Sequence, residues 1–305
     1  MVEKSAHFRP PREPDPTPLA ARSRFPRGLH QPEGSFRFSS DALLLASFPS
    51  LHGVGQVLDL GAGCGVVGLA LLCRKPELLV TGVDCQPTLS AAAVYNAGLL
   101  GFADRYVALA ADLAEEAAGI FHEFSGALST GTHAISRPDG RTIADGSFDL
   151  AVANPPYRQR HRGRLPASAS RLTALFESSA TQAAFCRAAA RALRPGGRFC
   201  LIYPAAREAE IAAGLAARGL RLVRVLPLLP GAGLAPELLL LESVRQATGD
   251  GPEAALPPAR EAPLILHGPD GGFTDEALDF CPFLNKTALD AVSRQTEPLP
   301  TRPLP

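Results

Sequence analysis

The chain has 305 residues, 46% of them hydrophobic and 20% charged, and its 30 Lys and Arg are matched by 30 Asp and Glu. That length supports one large domain with a buried core, and the mixture excludes a disordered chain. A neutral balance does not announce a nucleic-acid partner, so any such face must come from local clustering.

Cys64, Cys73, Cys85, Cys186, Cys200 and Cys281 form no C-x-x-C pair, and the histidines do not cluster. We therefore expect buried thiols in a reducing cytoplasm and no metal site. No apolar run approaches the roughly 18 residues of a membrane span, and the N-terminus lacks a signal-peptide pattern. A soluble, cytoplasmic protein without a membrane partner is expected.

Residues 1–33, rich in Pro and Arg, read as a flexible tail. A helix is predicted to begin near Ser40, where Ser39, Ser40 and Asp41 offer N-cap oxygens ahead of the apolar run Ala42–Ala46. Short Leu- and Val-rich runs then alternate with Ala/Leu-rich helical stretches, the pattern of an α/β protein with a mostly parallel sheet. Strands are predicted over Gln56–Leu60, Leu78–Val83, Tyr106–Ala110 and Phe148–Ala153. Helices are predicted from about Gly65 to Arg74 and from Pro87 to about Gly98.

Residues 114–147 open with helically spaced apolar residues and become rich in Gly, Ser and Thr, which reads as an insert. A helix over Ser179–Leu193 should stop at Arg194-Pro195-Gly196-Gly197. Strands Arg198–Tyr203, Val223–Leu228 and Glu237–Glu242 follow, the last being the final strand of the sheet, with a helix Arg207–Arg218 between the first two. Residues 245–262 read as a linker within a C-terminal extension (245–305). That extension holds a strand Leu264–His267 and a helix capped by Thr274. The organisation is a tail, one α/β domain over 34–244, and the extension.

Val57-Leu58-Asp59-Leu60-Gly61-Ala62-Gly63-Cys64-Gly65 is a strand entering a turn with glycine at three alternate positions. Glycine allows positive φ and close backbone approach, and the following helix aims its free N–H groups at a ligand. A dinucleotide fingerprint counted from Gly61 needs its third glycine at 66, which is Val66. The G-x-G-x-G spacing, with Asp59 two residues upstream, instead resembles motif I of the S-adenosylmethionine (SAM)-dependent methyltransferases. Asp84, ending the second strand, is placed to accept both hydroxyls of a ribose. Asp112, just past the third strand, resembles the methyltransferase acid that contacts the adenine amine. The plainer alternatives are glycines that merely turn and aspartates that cap strand ends.

Asn154-Pro155-Pro156-Tyr157 follows the strand Phe148–Ala153, and open α/β sheets bind ligands at such strand ends. A conjugated amino nitrogen is a poor nucleophile until it pyramidalises. The Asn154 side-chain oxygen and the Pro155 carbonyl can accept its two N–H bonds and favour that change. Pro155 and Pro156 stiffen the loop, and Tyr157 can stack on a flipped base. The plainer alternative is a Pro-Pro strand stop.

The tetrapeptide resembles those of adenine-N6, guanine-N2 (rRNA) and release-factor glutamine-N5 methyltransferases. The last usually carry a helical domain ahead of the SAM motif, whereas only residues 34–56 look ordered there. The wider pattern resembles the bacterial tRNA(Val) adenine-N6-methyltransferases. It comprises Gly34-Ser35-Phe36-Arg37-Phe38-Ser39-Ser40-Asp41-Ala42-Leu43-Leu44-Leu45-Ala46, the Leu58–Gly65 turn, Phe148-Asp149-Leu150 with the tetrapeptide, and Leu264–Thr274. The resemblance implies a Rossmann-like class I fold with a doubly wound, mostly parallel seven-stranded sheet. It also implies SAM as cofactor, held by Asp41, Asp59, Gly61, Gly63, Gly65, Asp84 and Asp112, with Asn154 to Tyr157 catalytic and an RNA, a tRNA in particular, as substrate. Two features depart from the family: the 114–147 stretch is longer, and Leu234-Ala235-Pro236-Glu237 stands where a basic segment is usual. Arg158, Arg160, Arg162 and Arg164 follow the tetrapeptide with no acid before Glu177. They are candidates for gripping RNA phosphates, a solvated basic loop being the alternative. A non-catalytic SAM- or RNA-binding module is disfavoured by the intact turn and tetrapeptide.

Overall fold

A computed structural model of the chain describes residues 16–35, 37–113, 144–155, 179–247 and 256–285. Its elements are helix α1 (Pro18–Ser23), α2 (Ser40–Ser47), strand β1 (Gln56–Leu60), α3 (Val66–Arg74), β2 (Leu79–Asp84), α4 (Pro87–Leu99), β3 (Tyr106–Ala110) and β4 (Phe148–Ala153). There follow α5 (Ser179–Ala192), β5 (Leu193–Pro204), α6 (Glu208–Ala216), β6 (Leu220–Gly231), β7 (Leu238–Arg245), β8 (Ala259–Arg260), β9 (Leu264–His267) and α7 (Asp275–Phe280).

The strands form one sheet in the order β3-β2-β1-β4-β5-β7-β6-β8, with β9 also on β6. β1 to β5 run parallel, and β7 is antiparallel to both neighbours. Central parallel strands are covered on both faces, so β1, β2 and β4 are apolar with few interruptions. Val57, Val80, Leu150 and Val152 face α2 to α4 in one core layer. Leu58, Leu60, Ala151 and Ala153 face α5 in the other. Leu43, Leu44 and Leu45 are wholly buried, each contributing roughly 2 kcal/mol.

Four cations fasten the C-terminal end of α2 and the loop that follows it, where backbone carbonyls lack helical partners. Arg74 donates to Ala46 and Pro49, Arg224 to Phe48 (2.8 Å), Arg198 to Ser50 (2.6 Å), and Lys75 to Leu51 and Val54. Arg224 also lies 3.8 Å from the Phe48 ring centroid. Glu242, 7% exposed, pairs with both Arg198 (3.2 Å) and Arg224 (3.0 Å).

Several expectations are corrected. The described part of the expected tail, residues 16–33, is packed: Ala21, Phe25 and Leu29 belong to the core, and Phe25 meets Phe283 edge-on at 5.3 Å. Pro18 sets the first turn of α1, and Thr17 caps it by accepting from the Ala20 amide. The strand expected to be the sheet's last, β7, is followed in the chain by β8 and β9, and it lies between β5 and β6. The expected seven strands become nine because β8 and β9 each pair parallel with the outer side of β6. β8 falls within the expected linker. Covering β6 removes a long open edge that would otherwise offer unpaired amides. The Arg194–Gly197 turn is absorbed into β5, where the pairing with β4 shifts register between Phe148 and Leu150. Thr274 caps α7 as expected, accepting from the Ala277 amide at 3.1 Å. Residues 114–143, the larger part of the expected insert, lie outside the described residues.

Candidate active site

Four loops leave neighbouring parallel strands at one level. Leu60 pairs with Val83 on β2 and with Ala153 on β4, and Asp84 pairs with Ala110 on β3. Gly61, Asp84, Asp112 and Asn154 therefore stand in a row at or just beyond the C-terminal ends of β1, β2, β3 and β4. The chain winds one way from β1 through β2 to β3 and returns on the other side of β1 as β4. This makes the gap between β1 and β4 a topological switch point, where doubly wound sheets bind ligands.

The turn after β1 is built on backbone that only glycine adopts readily. Gly61, Gly63 and Gly65 have φ of 68°, 56° and 88°. Gly61 and Ala62 donate to the Val83 carbonyl at 2.8 and 3.0 Å, tying the turn to β2. Gly65 caps α3, so the first amides of that helix face the end of the sheet. At Gly61 a Cβ would press the Phe185 ring of α5 at 3.1 Å.

Asp84 lies against this turn. One of its oxygens accepts the Gly63 amide and the other the Gln86 amide, both at 2.9 Å. Burial raises its pKa, opposed by those two hydrogen bonds. Each oxygen keeps lone-pair capacity for one further donor, as a pair of vicinal hydroxyls requires. Ala111 donates to the Asp84 backbone carbonyl at 2.9 Å, bringing the start of the Asp112 loop alongside, and Asp112 itself is exposed.

Asp59, expected among the cofactor residues, lies within the fold behind the turn. It is 1% exposed, on the face covered by α3, and it accepts the Gly68 amide at 2.9 Å. Burial pushes its pKa up to about 7, with the Gly68 bond opposing and Asp84 adding repulsion. Asp41 sits in the first turn of α2, a helix packed on α3, outside the row of strand ends. Asn154 is half-buried and Pro155 buried at the end of β4. Pro156, Tyr157 and the candidates Arg158, Arg160, Arg162 and Arg164 lie outside the described residues.

Other residues shape the turn without a signature in the sequence. Tyr106 is buried beneath it, and its hydroxyl has no hydrogen-bond partner among the described residues. Burial drives its pKa well above the ordinary tyrosine value. Its side chain occupies room left by three glycines: a Cβ on Gly82 would overlap the hydroxyl, one on Gly65 would crowd the hydroxyl at 3.1 Å, and one on Gly68 would crowd the ring at 3.0 Å. Asn96, wholly buried on α4, hydrogen-bonds both to the turn and to the N-terminal segment. No group of three or more His, Cys, Asp or Glu that could hold a metal occurs among the described residues. No described helix is long and apolar enough to cross a membrane.

Residues 38–121 match the family model of the methyltransferase small domain. A tRNA1(Val) (adenine(37)-N6)-methyltransferase of Dickeya chrysanthemi is 30% identical over 56% of this chain and 58% of its own length. A protein of the same name from Tolumonas auensis is 25% identical over 70% of this chain and 78% of its own. The chain thus spans a little under three fifths of the length of the Dickeya relative. Among solved structures, a predicted O-methyltransferase from Agrobacterium tumefaciens aligns with a TM-score of 0.56 at 22% identity, over 81% of this chain and 96% of that one. The glycine turn lies inside the segment that matches this family model, and the sheet shares the Rossmann-like α/β fold of the Agrobacterium structure.

Proposed function

We propose that the chain is a SAM-dependent methyltransferase acting on the exocyclic N6 amine of an adenine in RNA, with a tRNA as substrate. The observation that carries this reading is the pairing of Leu60 with Ala153, which sets Asn154-Pro155 directly beside the glycine turn. An acceptor held by the one loop would lie next to a cofactor held by the other.

The residues present suit SAM. The turn leaves open space where a Gly63 Cβ would stand, and Asp84 offers two carboxylate oxygens to the ribose hydroxyls. A pyrophosphate fingerprint is not present, since its third glycine would fall on the buried Val66. When bound, SAM supplies a methyl group on a positively charged sulfur.

The chain's own contribution is positioning. Asn154 Oδ1 and the Pro155 carbonyl accept the two N–H bonds of the acceptor amine, which turns its lone pair out of conjugation. Pro155 has no N–H, a restricted φ and a buried position, which together stiffen the backbone that carries its carbonyl. No strong general base is needed, because the proton can leave after the methyl has moved. The tRNA adenine-N6 specificity in the relatives' names supports the choice of acceptor.

The test is incubation with methyl-labelled SAM and separated tRNA, rRNA and release factor, followed by nucleoside analysis. Label is expected in N6-methyladenosine of tRNA. It should vanish with Asn154→Ala while SAM still binds. Label in protein glutamine or in guanine-N2 would overturn the acceptor assignment.

A further inference from the structure

We infer that Asn96 is a positioning residue for the cofactor turn, and that the N-terminal segment around His30 is the part of the site that it fastens there. This inference rests on the reading of the turn as a SAM site.

Asn96 lies inside α4, where asparagine is a poor helix former, and it is wholly buried, where an amide is costly unless bonded. A small apolar residue would serve the packing of that helix alone. The amide is instead used on both sides. Its oxygen accepts the His30 amide at 2.7 Å, and its nitrogen donates to the His30 carbonyl at 3.0 Å. The same nitrogen donates to the Cys64 carbonyl at 2.9 Å.

Cys64 stands between Gly63 and Gly65, both at positive φ. A run of glycines has wide conformational freedom and holds one shape only if its peptide groups are bonded. Asp84 holds the Gly63 amide, and Asn96 holds the Cys64 carbonyl one residue on. α4 starts just after Asp84, with Gln86 bonded to that carboxylate, so one helix carries both restraints. The third contact extends the unit to residues some 66 positions earlier. Leu29 and Phe25 anchor that segment in the core, and the His30 ring meets Tyr95 edge-on at 5.9 Å. The N-terminal segment is therefore coupled to the glycine turn through a single side chain.

The full chain, Asn96→Ala and Asn96→Asp are compared for binding of S-adenosylhomocysteine by calorimetry, well below each protein's unfolding temperature. The Asn96→Asp carboxylate keeps the acceptor for the His30 amide and loses both donations. Both variants are expected to bind about tenfold more weakly or worse, in line with the loss of buried hydrogen bonds. KM for SAM should rise while turnover at saturating SAM stays near the parent's. A merely structural role would lower the melting temperature and leave affinity and KM alone.

Hydrogen exchange on the unaltered protein provides a second test that does not depend on variants folding. S-adenosylhomocysteine should slow exchange in residues 28–35 together with residues 57–68. Folded variants with parental affinity, or a 28–35 segment indifferent to the ligand, overturn the inference. Failure of the parent to bind S-adenosylhomocysteine at all overturns the SAM reading itself, and this inference with it.

Discussion

Asp59 should make this protein lose stability as pH rises toward neutrality. Its carboxyl is buried under α3, and its pKa is pushed from 3.8 to about 7 chiefly by desolvation. Between those values the folded chain holds a proton that the unfolded chain has released. The stabilisation is fully present below about 3.8 and is lost as pH climbs through about 7. A rise of about three units corresponds to about 4 kcal/mol.

The amide introduced by Asp59→Asn would keep an oxygen for the Gly68 amide and carries no charge at any pH. Asp59→Asn and the parent should therefore be almost equally stable near about pH 4. The variant should be more stable by about 4 kcal/mol near about pH 8, by the same linkage. The assay is urea unfolding of both proteins across that range without ligand. Asp149 does not mimic the effect. Burial raises its pKa, but the Gln56 and Gly55 amides and Arg194 outweigh that and lower it, so its contribution is lost only below about 3.8. Asp84 shifts upward like Asp59 but is common to both proteins. Parallel stability curves, or a parent that gains on the variant with rising pH, would refute the assignment of a neutralised buried carboxyl.

Tyr106→Phe removes a buried hydroxyl without a described partner and should raise stability by about 1–3 kcal/mol, read from denaturant midpoints. Loss of stability instead would mean that the hydroxyl is satisfied. Gly82→Ala should destabilise by steric overlap with that hydroxyl, and Tyr106→Phe should recover part of the loss. Asp84→Asn should weaken S-adenosylhomocysteine binding by roughly tenfold to a hundredfold, the range of charge-assisted hydrogen bonds. Unchanged affinity would remove Asp84 from the ribose. Replacing Arg160, Arg162 and Arg164 together should weaken RNA binding and flatten its log–log dependence on salt, with SAM affinity unaltered. An unchanged slope would mean that the phosphates are gripped elsewhere.

What could be read directly from the sequence is the local grammar of the site. Apolar runs with glycines at 61, 63 and 65 prescribe a strand, a positive-φ turn and a helix, because only glycine enters that backbone region cheaply. Strands β1, β3, β4 and β9 fall where their composition places them, and Thr274 caps α7 for the same local reason. The acid ending β2 and the Asn-Pro ending β4 were legible as strand-end residues, yet their common level needed the registers Leu60–Val83 and Leu60–Ala153.

Tertiary structure alone decided which face of β1 carries Asp59 and hence that its carboxylate braces α3. It also decided that Tyr106 fills the glycine gap and that Asn96 ties His30 to Cys64. The packing of Phe25 against Phe283 and the pairing of β8 and β9 with β6 belong to the same class. Apart from Asp59 with Gly68, nine positions on, these are contacts between residues tens to hundreds of positions apart. Their free energy comes from burial and from satisfied buried polar groups, neither of which leaves a periodic or local trace in the chain.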